Sequence, residues 1–374
     1  MPLISVARLR DGDIGAALEK LLDPMMAQVD LAKKSVLIKP NLVEPLAYTG
    51  GQTTNPALVE AIISWCRNAG AEKIAVGEGP TYFQPQSALR DCFTRTGIAD
   101  AARRQGVPWI LFDEDAFRTF TGYSADTPPS FGLSEHAFAW DAVINVPVPK
   151  THYLTTVSIC MKNLKGFIRR EDKPSFHHCG TAGIHGSVTA LNGIIRPALH
   201  IVDCTAPTHR NSNFLLAGTD CVAADAVTAS MMGVDPGRVG TIERGHMAGL
   251  GEKDITRVDI TGDDVRDLQM NFEQPAAYLA RVFPSVRLMA RDACSGCLIP
   301  LFAALRRLED DGAVPREAVG ILCGRQAPER APGPLAVIGQ CSREHRGGNA
   351  WLGGCPPTKE EVYEFLKKTF LNVS

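Results

Sequence analysis

Ser35-Val36-Leu37-Ile38-Lys39-Pro40-Asn41 reads as a buried strand closed by a turn signal, and the next 36 or so residues decide the fold. Asn55 is a favourable N-cap and Pro56 suits the first helical position, so the spacing predicts a helix from Pro56 to about Asn68. Residues 69–72 read as the turn into a second β-rich run, 73–77. Strand, helix and strand in that order imply a parallel pair covered on both faces.

Working outward, β-rich runs recur at 109–112, 142–146, 199–202, 215–217 and 254–261, with helical patterns between them, clearest over 221–232. The expected class is α/β: a mostly parallel sheet with helices on both faces. Such sheets gather ligands at the carboxyl ends of their strands. Three loops there have unusual content: Lys39-Pro40-Asn41, Gly77-Glu78-Gly79-Pro80, and 147–152 with Lys150 and His152. If the sheet forms, these groups converge.

From about Phe272 the composition changes, and a boundary near residue 270 divides an α/β domain (1–270) from a smaller Cys-rich α/β segment (271–374). This tail holds five of the eleven cysteines and much proline and glycine (Pro328, Pro332, Gly333, Pro334). It keeps folded signals: helices over 298–308 and 359–370, and β-rich runs at 319–322 and 335–338.

The 374 residues are 45% hydrophobic and 21% charged, the balance of a globular chain that buries a core. A net charge of −2 without a basic block gives no electrostatic reason to expect nucleic acid. No run approaches the roughly 20 apolar residues that span a bilayer, and the first residues lack signal-peptide character. The expectation is a cytoplasmic protein with no membrane attachment. Its cysteines are then core thiols and metal ligands rather than disulfides.

Cys294-Ser295-Gly296-Cys297 precedes an apolar helical pattern, and C-x2-C lets two thiolates face one metal centre. At a helix N-terminus the positive dipole end would lower their pKa values. Cys341 follows a strand, and Cys355 sits in Gly353-Gly354-Cys355-Pro356, where glycines admit close backbone approach. These four are the expected metal ligands, with Cys323 able to replace one. Wide four-cysteine spacing also suits structural zinc. Zinc sites usually pair two close C-x2-C knuckles, however, and only the first pair is close here, so the spacing favours a 4Fe-4S cluster. Cys66, Cys92, Cys160, Cys204 and Cys221 lie in or beside apolar runs and read as core residues.

The densest chemistry lies in 146–166, where Lys150, His152, Lys162, Asn163 and Lys165 flank a Thr/Ser-rich segment. Lysines at a sheet end bind carboxylate or phosphate, and a desolvated one acts as base or nucleophile. Lys150, His152, Lys162 and Glu78 are candidate catalytic residues. Lys39, Asn41, Asn163, Lys165 and Asp220 are candidate substrate-binding residues, Asp220 doubling as an N-cap. The competing reading is a solvated loop with ordinary surface lysines. His177-His178-Cys179 and His185 add nitrogen ligands, while His136, His200, His209 and His345 read as structural. No G-x-G-x-x-G, P-loop, H-E-x-x-H or G-x-S-x-G occurs.

Six motifs in order resemble the family called domain of unknown function 362: Val36–Asn41, Thr53-Thr54-Asn55-Pro56, Gly70-Ala71, Lys150-Thr151-His152, Met161–Gly166 and Ala217–Ala226. Members of that family often carry ferredoxin-like iron–sulfur segments, although this tail lacks their tandem cysteine run. A more distant likeness is to the nickel-pincer lactate racemases. Their histidine, cofactor-bearing lysine and nickel-ligating histidine fall in an order comparable to His152, Lys162 and His178, but 54–56 lacks their acid and arginine. The expectation is an iron–sulfur oxidoreductase acting on a small anionic substrate, with a redox partner protein. The alternatives are a non-redox isomerase or lyase with a nickel centre, and a non-enzymatic electron carrier or metal-delivery scaffold.

Overall fold

The computed structural model describes residues 1–82, 86–207, 212–270, 272–290, 293–325 and 333–371. His209, Pro328 and Pro332, singled out above, lie outside the described residues. The chain divides into two compact units, Met1–Phe272 and Glu273–Ser374.

In the first unit the elements run β1 (Leu3–Arg8), α1 (Ile14–Leu22), β2 (Ser35–Lys39), α2 (Pro56–Asn68), β3 (Lys73–Glu78), α3 (Leu89–Thr94), α4 (Ile98–Arg104) and β4 (Trp109–Leu111). They continue through the hairpin β5 (Phe117–Thr121) and β6 (Ser130–Ser134) to β7 (Ala142–Asn145), a small hairpin β8 (Lys150–His152) and β9 (Thr156–Ser158), and α5 (Cys160–Asn163). The unit closes with α6 (Gly183–Ile194), β10 (Leu199–Cys204), β11 (Phe214–Gly218), α7 (Cys221–Met231), α8 (Gly240–Met247) and β12 (Asp259–Gly262).

Eight strands form one sheet in the order β12-β1-β11-β10-β7-β2-β3-β4. All neighbours are parallel except β11, which runs against both β1 and β10. The expected α/β class is what forms. Its cause is visible in the side-chain alternation along β2 and β3. Val36, Ile38, Ile74 and Val76 pack under Leu58, Val59, Ile62 and Ile63 of α2. Leu37 and Ala75 face the opposite layer, with Phe112, Phe131, Phe167 and Leu191. Asn55 caps α2 as expected, its side chain accepting from the Ala57 N–H at 3.0 Å.

Several boundaries differ from the sequence reading. Lys39 and Glu78 are the last residues of β2 and β3, not loop residues. The run at 254–261 is a 3₁₀ turn (Ile255–Arg257) followed by the short β12. β1, the β5–β6 hairpin and the β8–β9 hairpin were not expected. β1 pairs with strands more than 200 positions away in sequence, which no local pattern reveals.

The second unit is a four-stranded parallel sheet, β13 (Val286–Met289), β14 (Val319–Cys323), β15 (Leu335–Ile338) and β16 (Ala350–Leu352), in sequential order. Its helices are α9 (Pro275–Val282), α10 (Ser295–Asp310) and α11 (Lys359–Leu371). Among the described residues no helix is long and apolar enough to cross a membrane.

Candidate functional site

Lys39 points to the same face of β2 as Leu37, and its register partner on β7 is Asn145. Its ammonium pairs with the Glu78 carboxylate, both wholly inside the protein. Lys39 Nζ also donates to the Pro40 carbonyl (3.3 Å), and Glu78 accepts from the Gly79 N–H (3.1 Å). Burial pulls the lysine pKa down and the glutamate pKa up, against the attraction between them. Gly166 packs on this pair so tightly that an added Cβ would come within 2.7 Å of Lys39 Cε and Nζ. Lys173 covers the far side, donating to the carbonyls of Gly79 (2.9 Å) and Pro80 (2.7 Å).

Lys150 opens the β8–β9 hairpin, one short loop beyond β7. Its ammonium donates to Asn41 Oδ1 and to the Val148 carbonyl (3.0 Å). Both acceptors are neutral. Burial, then the charges of Lys162 and Lys39, lower its pKa to about 7, with Glu78 pulling the other way. Asn41 therefore positions a lysine.

Lys162 rides on α5, and Asp225 of α7 sets that short helix. The Asp225 carboxylate accepts from the N–H groups of Cys160 (2.7 Å) and Met161 (3.3 Å), and burial raises its own pKa to about 7. Burial lowers the Lys162 pKa to about 8, and no described residue hydrogen-bonds its ammonium. Asn163, expected to bind substrate, instead donates to Asn145 Oδ1 (2.8 Å) and weakly to the Pro40 carbonyl (3.4 Å), locking α5 onto the strand ends. Asn145 in turn donates to the Cys160 carbonyl and lies 3.1 Å from His200 Nδ1.

His152 differs from the expected proton carrier. Its Nδ1 accepts from the backbone N–H groups of Leu154 (3.1 Å) and Thr155 (3.2 Å), so the neutral ring carries its proton on Nε2. Burial and the charges of Lys162, His177, Lys165 and Lys150 hold its pKa well below 6.5. In that state His152 is a hydrogen-bond donor, not a base. The sequence gives His177 no rank above His178, yet His177 is the more buried of the two. Its Nδ1 lies 3.1 Å from the Lys173 carbonyl, and its Nε2 lies 3.3 Å from Lys165 Nζ. Nδ1 thus donates and Nε2 accepts from the lysine. No local signal separates the two histidines; burial alone does.

Lys39, Glu78, Asn41, Lys150, His152, Lys162, Asn163 and Lys165 thus form one cluster at the carboxyl edge of the sheet. Asp220 does not act with them. It caps α7, accepting from Val222 and Ala223 N–H (2.9 Å each) and from Glu252 N–H (3.0 Å).

In the second unit Cys294 occupies the N-cap position of α10 and Cys297 its first turn. Cys323 ends β14, Cys341 follows β15, and Cys355 follows β16. Gly339, at φ +98°, leaves room for the thiols: an added Cβ would lie 2.9 Å from Cys297 Sγ and 3.8 Å from Cys341 Sγ. The Cys297 thiol is pushed up by its hydrogen bond with Cys294, by burial and by Cys323. Burial, Cys341 and Cys294 likewise raise Cys323, and burial, Cys294 and Cys341 raise Cys355. None of the eleven cysteines is joined in a disulfide, and among the described residues no three His, Cys, Asp or Glu side chains stand in metal-coordinating geometry. An all-thiol donor set with a glycine cradle nonetheless fits a thiolate-bound metal group.

Fold and site together define a mixed α/β protein with a buried lysine–histidine cluster at the carboxyl edge of a mostly parallel sheet. The chain belongs to the family described as domain of unknown function (DUF362), whose model matches residues 36–230, more than half of the chain. That span encloses every member of the lysine–histidine cluster and none of the five second-unit cysteines. The chain is similar to the thylakoid-associated protein sll1697 of Synechocystis sp., at 26% identity over 253 residues, 64% of this chain and 76% of that protein. Among solved structures it is similar to the lactate racemase apoprotein from Thermoanaerobacterium thermosaccharolyticum, with a TM-score of 0.39, 12% identity, and coverage of 99% of this chain and 81% of that one.

Proposed function

We propose that this protein is an iron–sulfur oxidoreductase of the cytoplasm that acts on a small anionic substrate. One observation carries the reading: Cys297 and Cys341 both border Gly339, where an added Cβ would lie 2.9 Å and 3.8 Å from their sulfurs, and Cys294, Cys323 and Cys355 lie at the ends of elements of the same unit. Cys294, Cys297, Cys341 and Cys355 would hold a 4Fe-4S cluster, which supplies single electrons when bound, and Cys323 is the reserve ligand. Cys341 borders an open depression shared with Arg325, Arg343 and Arg346 against Glu344. That cationic rim suits an acidic redox partner protein.

In the first unit, Lys150, Lys162 and Lys165 attract the charge of the substrate, and Lys150, lowered to about 7 by burial and cationic neighbours, takes up a proton as the substrate binds. A pure carrier or scaffold gives no reason to keep several lysines desolvated.

The test is anaerobic purification with iron, sulfide and zinc analysis of the wild type and of Cys297→Ser, Cys355→Ser and Cys323→Ser. About four iron and four sulfide per chain, lost in the first two variants and kept in the third, is the expected result. Zinc alone, or no metal after reconstitution with iron and sulfide, overturns the reading.

A further inference from the structure

The charge inventory of the lysine cluster sets the charge its ligand must bring. Lys39 is neutralised by Glu78, and Lys173 is held by two carbonyls beside Asp113. Lys150 and Lys162 are different. Among the described residues neither ammonium has a carboxylate in contact: Lys150 touches an amide oxygen and a carbonyl, and Lys162 has no hydrogen-bond partner among them. Each is half-buried, so neither is sealed from solvent. The lysine charges bearing most on His152, after burial, are those of Lys162, Lys165 and Lys150.

Two desolvated ammonium groups whose charges act on each other are costly unless anions meet them, and a single negative charge compensates only one. Lysines are compact point charges without the planar fork that arginine offers a carboxylate, which suits a compact oxyanion approached from several sides.

We propose that this site binds a ligand carrying two negative charges on one compact group, the chemistry of a phosphoryl group or of two neighbouring carboxylates, between Lys150 and Lys162. The inference rests on the reading of this cluster as the substrate site. It adds that a monoanion is not enough. Binding also draws protons from solvent, because Lys150 and Lys162, lowered to about 7 and about 8, return to the ammonium form beside the dianion.

The test is titration calorimetry on the full chain at pH 8 with sulfate, malonate and acetate, in two buffers of different ionisation enthalpy. Sulfate stands in for a phosphoryl group and malonate for paired carboxylates, so the tighter of the two tells the sources apart. The expected result is one dianion bound at least ~10-fold more tightly than acetate, with net proton uptake. Lys162→Met should lower that affinity ~10-fold or more, while Lys20→Met, at a surface ion pair with Asp263, leaves it unchanged. The proton-uptake readout needs no variant and stands even if Lys162→Met fails to fold. Equal binding of acetate and both dianions overturns the inference but keeps the anionic-substrate reading. Absence of binding by all three overturns both.

Discussion

Lys39 and Glu78 end neighbouring parallel strands, and their side chains close an ion pair buried beneath Gly166. Such a pair is costly to bury and more costly to break, because removing one partner strands the other charge. Glu78→Gln should therefore destabilise the chain by about 3–5 kcal/mol in urea denaturation. The double variant Lys39→Met with Glu78→Leu should recover most of that loss. A double variant no better than Glu78→Gln would show that the pair does more than neutralise itself.

Asp225 positions Lys162 from a distance by capping α5. Asp225→Ala leaves the N–H groups of Cys160 and Met161 without their acceptor, at about 1–3 kcal/mol each. Stability should fall, and sulfate affinity should fall as far as in Lys162→Met. Asp225→Asn restores one acceptor and should recover part of both. Unchanged sulfate affinity in a folded Asp225→Ala would separate the cap from the site.

The depressed lysine fixes the sign of a pH effect. Lys150 has a folded pKa of about 7 against an ordinary value of 10.5, so between those values the unfolded chain binds more protons. Stability from this group rises with pH across that window, and the penalty is complete below pH 7. Buried thiols such as Cys66 and Cys92, pushed up to about 12, act oppositely at alkaline pH. The informative quantity is thus the difference in urea midpoint between wild type and Lys150→Met, in the ligand-free protein. The variant's advantage should be largest at pH 6 to 7 and shrink towards pH 10. A flat difference contradicts the assignment.

The proton on His152 is directly observable. Nitrogen-15 NMR should find the ring neutral, protonated on Nε2, and titrating only well below pH 6.5. A proton on Nδ1, or titration near 6.5, would return His152 to the role of base.

Much of the scaffold is legible in the sequence, for reasons that belong to particular residues. The apolar runs of β2 and β3 and the Asn55-Pro56 cap mark a strand–helix–strand unit by local signals alone. Lys39 and Glu78 look like loop residues because a charged side chain reads as solvated until its partner is known, and each partner lies on another strand. Asp225 and Cys160 are joined only by folding, so the cap on α5 leaves no local trace. Residue type alone finds the lysines and His152, but the direction of the His152 hydrogen bonds belongs to the backbone of residues 154 and 155. His177 and His178 are adjacent and alike in sequence, and only burial separates them.

An iron-edge anomalous difference map from anaerobically grown, iron- and sulfide-reconstituted crystals tests the central claim most directly. The account predicts one compact iron peak bounded by Cys294, Cys297, Cys341 and Cys355, and none beside His152 or His177. Iron at the histidines, or a cysteine site that takes up no iron, would contradict it.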